Sequence, residues 1–110
     1  MITDILTNVD LQQAIATCND RVVVVKFTAN WCVPCKKIAP VLHQLAEKYQ
    51  SQFAVFSADV DQAESLVSHL NVRSMPTFIF LYRNRIIHVI KGPNQDLLTQ
   101  AFTIIAAMLN

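Results

Sequence analysis

Two cysteines three residues apart, Cys32 and Cys35, are the residues of this chain best suited to chemistry. A C-x-x-C pair either cycles between a dithiol and a disulfide or supplies half of a tetrahedral zinc site. A zinc site needs a second ligand pair, and the sequence has no other C-x-x-C. The other potential ligands lack the spacing of zinc pairs; they are Cys18, His43, His69 and His88. The pair therefore favours redox chemistry, with a zinc or purely structural role as the alternative.

The pair lies where a predicted strand gives way to a predicted helix. Residues 22–29 read VVVVKFTA, a β-branched run typical of a central strand covered on both faces. A helix is predicted from about Pro34 to Tyr49, with Pro40 expected to kink it. The first N–H groups of a helix lack intrahelical partners, and its dipole favours an anion, so a Cys32 thiolate would be stabilised there. We predict that Cys32 attacks a substrate disulfide and that Cys35, one turn further in and more buried, resolves the mixed disulfide.

The remaining elements follow from hydrophobic periodicity and capping signals. Helices are predicted after a cap at Asn8 or Asp10, after Asp61, and after Asn94. Strands are predicted at 2–6, 53–58, 77–82 and 86–91, the last two joined by residues 83–85. The inner stripe of the last helix is predicted as Leu97, Leu98, Ala101, Phe102, Ile105 and Met108. The order β-α-β-α-β-α-β-β-α predicts a three-layer α/β fold with a mixed sheet, formed by residues 1–110 as one domain.

Composition narrows the class of protein. The 110 residues are 53% hydrophobic and 15% charged, with a formal net charge of +1, which indicates a well-filled globule. The basic residues are scattered, so no nucleic-acid footprint is visible, and no apolar run approaches the ~18 residues of a membrane span. The first residues do not resemble a secretory signal. An odd count of three cysteines does not indicate a disulfide framework, and we expect a reducing compartment, the cytoplasm.

The whole sequence resembles the thioredoxins. The resemblance is carried by VVVVKFTANWCVPCKKIAP (22–40), HQLAEKY (43–49), Asp59-Val60-Asp61 and Ser74-Met75-Pro76-Thr77-Phe78. It implies the thioredoxin fold, an α/β/α sandwich with a five-stranded mixed sheet and four helices. It also implies a cis Met75–Pro76 bond facing the cysteines, for which the alternative is an ordinary proline at a strand start. The implied substrate groove is lined by Trp31, Val33, Pro34, Met75, Pro76 and Gly92.

The resemblance also implies partners. A flavin-dependent thioredoxin reductase would supply electrons, and protein disulfides such as those of peroxiredoxins, methionine sulfoxide reductases and ribonucleotide reductase would receive them. No metal or cofactor is implied beyond the Cys32–Cys35 disulfide, and we expect a monomeric electron carrier. Two alternatives stay open: disulfide exchange in the oxidase or isomerase direction, and a thioredoxin-like binding module whose cysteines are not required.

Two residues depart from the family pattern. Val33 stands where the commonest motif has glycine, and Lys26 stands where thioredoxins usually hold a buried aspartate. Strand alternation and the resemblance together place Lys26 beneath the active-site helix. It is expected to extend outward along its stem, to pair with Asp59, or to lose its proton through burial. We interpret Lys26, Val33 and Pro34 as residues that tune the cysteine pair, with a tolerated substitution as the alternative for Lys26.

Other reactive side chains are given structural roles. Cys18 lies on the apolar stripe of the first helix and is interpreted as a packed hydrophobe, with a regulatory thiol as the alternative. His43 is expected at the surface or its boundary, and His88 is expected to be a satisfied histidine in an apolar strand. Lys36 and Lys37 are expected to be solvated, although they could add positive potential near Cys32.

Overall fold

A computed structural model describes residues 2–18 and 20–109. The elements in chain order are β1 (Ile2–Asp4), α1 (Asn8–Thr17), β2 (Val22–Thr28), α2 (Val33–Lys48), β3 (Phe53–Asp59), α3 (Glu64–His69), β4 (Thr77–Tyr82), β5 (Arg85–Lys91) and α4 (Gln95–Met108). The predicted order of elements is confirmed. So is the predicted α/β fold with five strands in one mixed sheet and four helices.

The sheet has the strand order β1-β3-β2-β4-β5. β2 pairs in parallel with β3 and antiparallel with β4, so it lies at the centre of the sheet. This position explains its run of valines, because a strand buried on both faces has no polar face to expose. β2 ends at Thr28, and the chain then turns over the carboxyl end of the sheet into α2, which places the cysteine pair at that edge.

Each face of the sheet is covered by helices. On one face Val22 and Val24 of β2 pack with Ile38 and Leu42 of α2 and with Phe102 of α4. On the other face, residues of β2 and β4 pack with α1 and α3. The inner stripe of α4 is only partly as predicted, since Leu98, Ala101 and Phe102 are buried but Leu97 and Met108 are exposed. Neither contributes to the core.

Two of the predicted helix caps are wrong. Thr7, rather than Asn8 or Asp10, is the N-cap of α1; its hydroxyl accepts the Asp10 N–H at 3.1 Å while the Asp10 carboxylate accepts the Thr7 N–H at 3.1 Å. Asp10 is thus the third helical residue of a capping box. α3 begins after Ala63 with no side-chain cap, so Asp61 does not cap it. The Asn94 cap is confirmed by its 3.0 Å bond from the Leu97 N–H.

The β4–β5 hairpin is tighter than predicted. β5 begins at Arg85, so only Arg83 and Asn84 form the loop, both with positive φ (50° and 65°). Two left-handed residues match the twist of a two-residue hairpin. α2 runs through Pro40 without ending. Among the residues described, no helix has the length and apolar content needed to cross a membrane.

Candidate active site

The cysteine pair forms the first turn of α2. Cys32 is the N-cap of the helix, with extended backbone (φ −91°, ψ 102°), and Cys35 lies in the first turn. The two sulfur atoms form a disulfide, and Sγ of Cys32 also accepts the backbone N–H of Cys35 at 3.3 Å. A sulfur at the N-cap takes the place of a capping oxygen, and Pro34 occupies an early position that needs no donor. The local sequence therefore delivers Cys32 to the positive end of the helix.

Both cysteines are largely covered, Cys35 more than Cys32. Their exposed fractions are 1% and 5%, which agrees with the prediction that Cys35 is the deeper of the two. The neighbouring side chains Trp31 and Val33 are each more than half exposed. A partner protein that reaches Cys32 therefore meets an apolar rim.

The loop before β4 packs beside the cysteines. The Met75–Pro76 bond is cis, as the resemblance implied. Met75 packs against the buried cluster of Ala29, Cys32 and Cys35. The Gly92 N–H donates to the Pro76 carbonyl at 2.8 Å, which ties the end of β5 to this loop. Gly92 has φ +100°, a conformation that side chains rarely adopt, so this tie requires glycine.

Trp31 is held by Asp61, a residue that the sequence predicted to be a helix cap. Its indole N–H donates to Oδ2 of Asp61 at 2.9 Å. Asp61 is in turn fixed by the carboxylate of Asp59, which accepts the Asp61 N–H at 2.9 Å. Val60, between them, packs against the cysteine cluster. The sequence indicates this stretch through the family resemblance, and it indicates Asp61 as a helix cap and Asp59 as a partner of Lys26, but none of these signals pointed to the bond with Trp31.

A cavity of about 310 Å³ lies on the other side of the cysteine pair. Val33 and Pro34 line it together with Lys37, Ile38, Pro93 and Gln95. Its walls come from the start of α2, the loop between β5 and α4, and the first residue of α4. Val33 and Pro34, which the sequence singled out as tuning residues, therefore also shape the surface beside Cys32.

Lys26 is buried, with 8% of its side chain exposed. It lies opposite Ser57, and Ser57 lies opposite Asp4, so the three residues form one row across β2, β3 and β1. Burial lowers the pKa of Lys26, and the negative charge of Asp4 partly offsets this by raising it. The neighbouring acid that stabilises the Lys26 cation is Asp4. Asp59, which the sequence offered as a partner of Lys26, accepts the backbone N–H of Asp61.

Lys26 also faces the active-site helix. It is on the same side of β2 as Val22 and Val24, which pack against Ile38 and Leu42 of α2. Because α2 begins shortly after the end of β2, its cysteine end lies at the same edge of the sheet as the last residues of β2. The predicted side of the sheet is thus confirmed by the core contacts.

The remaining candidate residues lie away from the pair. Cys18 is a buried free thiol in the α1 core cluster, and Nη2 of Arg21 donates to its sulfur at 3.4 Å. His43, Lys36 and Lys37 are exposed. His88 is exposed although its strand is apolar, and its ring centroid lies 5.7 Å from that of Phe80. Within residues 2–18 and 20–109, no group of three or more His, Cys, Asp or Glu side chains could hold a metal ion.

Known proteins share this arrangement of elements and sequence. The family model Thioredoxin matches residues 3–103. Thioredoxin-T of Drosophila melanogaster is 37% identical over 100 residues, which are 91% of this chain and 64% of that protein. Thioredoxin of Homo sapiens is 37% identical over 96 residues, which are 87% of this chain and 90% of that protein.

A solved structure agrees with these relatives. The X-ray structure of Fasciola hepatica thioredoxin superposes with a TM-score of 0.89 at 32% sequence identity, covering 94% of this chain and 98% of that one. The similarity therefore extends over nearly the whole length of both chains.

Proposed function

Since this chain belongs to the thioredoxin family and is a thiol–disulfide oxidoreductase that reduces protein disulfides, we propose that Cys32 is its nucleophile and Cys35 its resolving cysteine. The observation that carries this assignment is the cap geometry: Cys32 Sγ accepts the Cys35 N–H at the start of α2. That donor and the helix dipole favour a thiolate on Cys32, and the thiolate is the attacking species.

The exchange proceeds in two displacements. The Cys32 thiolate attacks one sulfur of the substrate disulfide, forms a mixed disulfide, and expels the other substrate sulfur as a thiolate. Cys35, as a thiolate, then attacks Cys32 Sγ and expels the second substrate thiolate. The substrate gains two electrons and takes up protons, and the protein ends as the Cys32–Cys35 disulfide.

The substrate chain lies across the apolar rim around Cys32 in this proposal. Trp31 and Val33 are exposed beside the nucleophile, Met75 packs against the cysteine cluster, and Pro76 follows Met75 in the chain. Gly92 contributes backbone alone, because glycine has no side chain, and its N–H donates to the Pro76 carbonyl. Val33 and Pro34 also line the 310 Å³ cavity, so this apolar surface continues into it.

Lys26 and Val33 tune the redox balance of the pair. A protonated Lys26 beneath the start of α2 stabilises the Cys32 thiolate and so the reduced form, which would make the protein a stronger oxidant. This buried cation is the observation that favours a second function, disulfide exchange in the oxidase or isomerase direction. Val33 replaces a small residue with a stiff, branched one at the point of approach.

The partners follow from the family at a coarse level: a thioredoxin reductase and disulfide-containing proteins. We extend this to a flavin-dependent reductase upstream and to peroxiredoxin, methionine sulfoxide reductase and ribonucleotide reductase downstream. We also propose a monomeric single domain over residues 1–110 that carries electrons in the cytoplasm and needs no cofactor beyond its disulfide.

The roles of the cysteines are tested by trapping. The reduced protein is mixed with a disulfide-bonded protein substrate and the reaction is stopped with acid. Cys35→Ser should accumulate a mixed disulfide through Cys32, whereas Cys32→Ser should not and should lose turnover. Cys18→Ser is the matched control and should behave as wild type. A biological activity that survives in the Cys32→Ser, Cys35→Ser double variant would instead support the binding-module alternative.

The direction of exchange is tested by the midpoint of the pair, titrated against glutathione with Trp31 fluorescence. Thioredoxin's reference value is about −270 mV, and ~30 mV corresponds to about 1.4 kcal/mol for two electrons. A midpoint near the reference supports the reductase direction, and one tens of millivolts higher supports oxidase or isomerase activity. Lys26→Met, which removes the charge but keeps the length, should lower the midpoint, whereas Lys48→Met should not. Equal midpoints for wild type and Lys26→Met would refute tuning by Lys26.

A further inference from the structure

A second groove lies on the α1–α3 side of the sheet, next to the active site. It has a volume of about 210 Å³ and is enclosed by the segment 70–74 and by one face of the β4–β5 hairpin. Its apolar lining residues are Leu70, Val72, Ile79, Ile86 and Val89. Small-molecule pockets usually measure about 300–1,000 Å³, so this groove suits side chains of a polypeptide better than a whole small ligand.

A β-bulge creates the apolar face of this groove. The register steps from Phe80 opposite His88 to Leu81 opposite Ile86, so Ile87 is the extra residue. Regular alternation would put Ile86 and Val89 on opposite faces. The bulge instead brings both to the face of Leu81 and Ile79, where Ile86 remains 52% exposed and Val89 40% exposed.

The rim of the groove is positively charged. Arg73 lies at one side and Lys91 at the other, and both are exposed. Among the described residues no carboxylate lines the groove, and the sequence between Glu64 and Asp96 contains no Asp or Glu. Two hydrogen bonds hold the segment that carries Arg73. Nε of Arg73 donates to Asn71 Oδ1 at 3.2 Å, and Oγ1 of Thr77 donates to the Ser74 carbonyl at 2.6 Å.

The groove is continuous with the surface around the cysteines. Ser74 in its wall precedes Met75, and Lys91 precedes Gly92, so both ends of the groove lead into the loops beside Cys32. A polypeptide that presents a disulfide to Cys32 would pass the groove with the residues next to that disulfide. An apolar floor with a cationic rim selects for a segment that combines apolar and acidic side chains.

We propose that this groove is a substrate-selecting exosite that binds an acidic, apolar segment of a disulfide-containing partner protein. The inference rests on the proposed reduction of protein disulfides at Cys32. It adds a preference among substrates: the groove contributes to affinity, and the cysteine pair performs the exchange.

The test uses disulfide-bonded peptides that differ only in a short tail. One tail alternates Glu with Val, one alternates Lys with Val, and one peptide has none; each tail is placed either before or after the disulfide. Wild-type protein should show a kcat/KM for the acidic tail about three- to tenfold above that for the basic tail, because the two exposed cations of the rim attract acidic side chains and repel basic ones. The preference should shrink as salt is raised.

Matched variants locate the effect. Arg73→Glu with Lys91→Glu should abolish the preference for the acidic tail. Arg85→Glu changes charge on the same strand but on the opposite face, since Arg85 pairs with Tyr82; it should keep the preference. Ile86→Ser should weaken it, whereas Ile87→Ser, at 45% exposure but outside the groove lining, should not.

A binding assay that involves no disulfide exchange separates this inference from the reductase function. Fluorescence anisotropy of labelled tails that lack cysteine should show the same order of binding and the same response to the variants. No difference between the acidic and basic tails in either assay would overturn the exosite. So would a dimer in sedimentation that the Arg73→Glu, Lys91→Glu variant disperses, since the occupant would then be a second copy of this chain. Failure to reduce any peptide despite selective binding would count against the proposed reductase alone.

Discussion

The indole Nε1 of Trp31 lies 2.9 Å from Oδ2 of Asp61, and this hydrogen bond fixes the large exposed side chain next to the nucleophile. Trp31 is more than half exposed, so core packing alone does not determine its orientation. Asp61 is itself oriented by Asp59, whose carboxylate accepts its N–H. The rim of the active site is therefore organised from the end of β3, outside the cysteine motif.

Asp61→Ala should release Trp31 and weaken binding of protein disulfides. The loss of one hydrogen bond of about 1 kcal/mol corresponds to a roughly fivefold lower kcat/KM. Asp61→Asn retains an acceptor oxygen and should retain most of the rate. Time-resolved anisotropy of the single tryptophan measures the release directly, and Glu64→Ala is the nearby control. An indole that stays as rigid in Asp61→Ala as in wild type would contradict this role.

The capping box of α1 provides a test of stability. Thr7→Ala should lower the free energy of unfolding by about 1 kcal/mol, because an N-cap hydroxyl is lost. Urea denaturation at neutral pH measures this effect. Thr17→Ala, at the other end of the same helix, is the control and should cost less. An equal loss for both variants would mean that the Thr7 cap adds nothing specific.

The capping box formed by Thr7 and Asp10 also makes the free energy of unfolding depend on pH. The N–H groups of Leu6 and Thr7 donate to Asp10 and hold the pKa of its carboxyl below the ordinary value. A depressed carboxyl pKa contributes stability that is complete above the unfolded value, about 3.9, and is lost as pH falls through the folded pKa. Asp10→Asn should therefore differ most from wild type at neutral pH and converge with it in acid. Urea midpoints measured across that range would contradict the prediction if the gap stayed constant.

Local patterns were enough to predict the order of elements and the reactive pair. The β-branched run of β2 and the apolar stripe of α2 are signals within single segments, and Cys32 and Cys35 lie at the junction between them. The cis bond before Pro76 came from the resemblance, because the residues around it permit either isomer. These features depend on neighbours in sequence or on the family.

The features that were missed depend on neighbours in space. Asp61 looks like a helix cap by residue type, but its partner Trp31 is 30 residues earlier in the chain. The bulge at Ile87 arises from pairing with β4 and reverses the faces that strict alternation assigns to Ile86 and Val89. The acid that acts on Lys26 could not be chosen without the strand order, which places β1 beside β3.

Removal of the buried charge at Lys26 should stabilise the fold. Replacement of a buried ionic group by an apolar one of similar size is often stabilising, here by about 1 kcal/mol for Lys26→Met at pH 7. Burial lowers the pKa of Lys26, so the unfolded chain binds more protons than the folded one between the folded pKa and about 10.4. The free energy of unfolding of wild type should thus rise with pH there, and the gap to Lys26→Met should narrow. Urea denaturation at pH 7 and pH 10 tests this, with Lys48→Met as the exposed control; a gap that widens with pH would contradict it.

Asp4 is the acid whose charge reaches Lys26 across the sheet. The two residues flank Ser57 in one row, with Cα atoms roughly 9–10 Å apart at ordinary strand spacing. Because Asp4 raises the pKa of Lys26 against the effect of burial, Asp4→Asn should lower that pKa further. NMR titration of the Lys26 ε-carbon, assigned by its disappearance in Lys26→Met, measures the shift. Asp20→Asn, which removes an exposed acid from the loop before β2, should leave the titration in place. An unchanged Lys26 titration in Asp4→Asn would show that the protein stabilises this cation by another route.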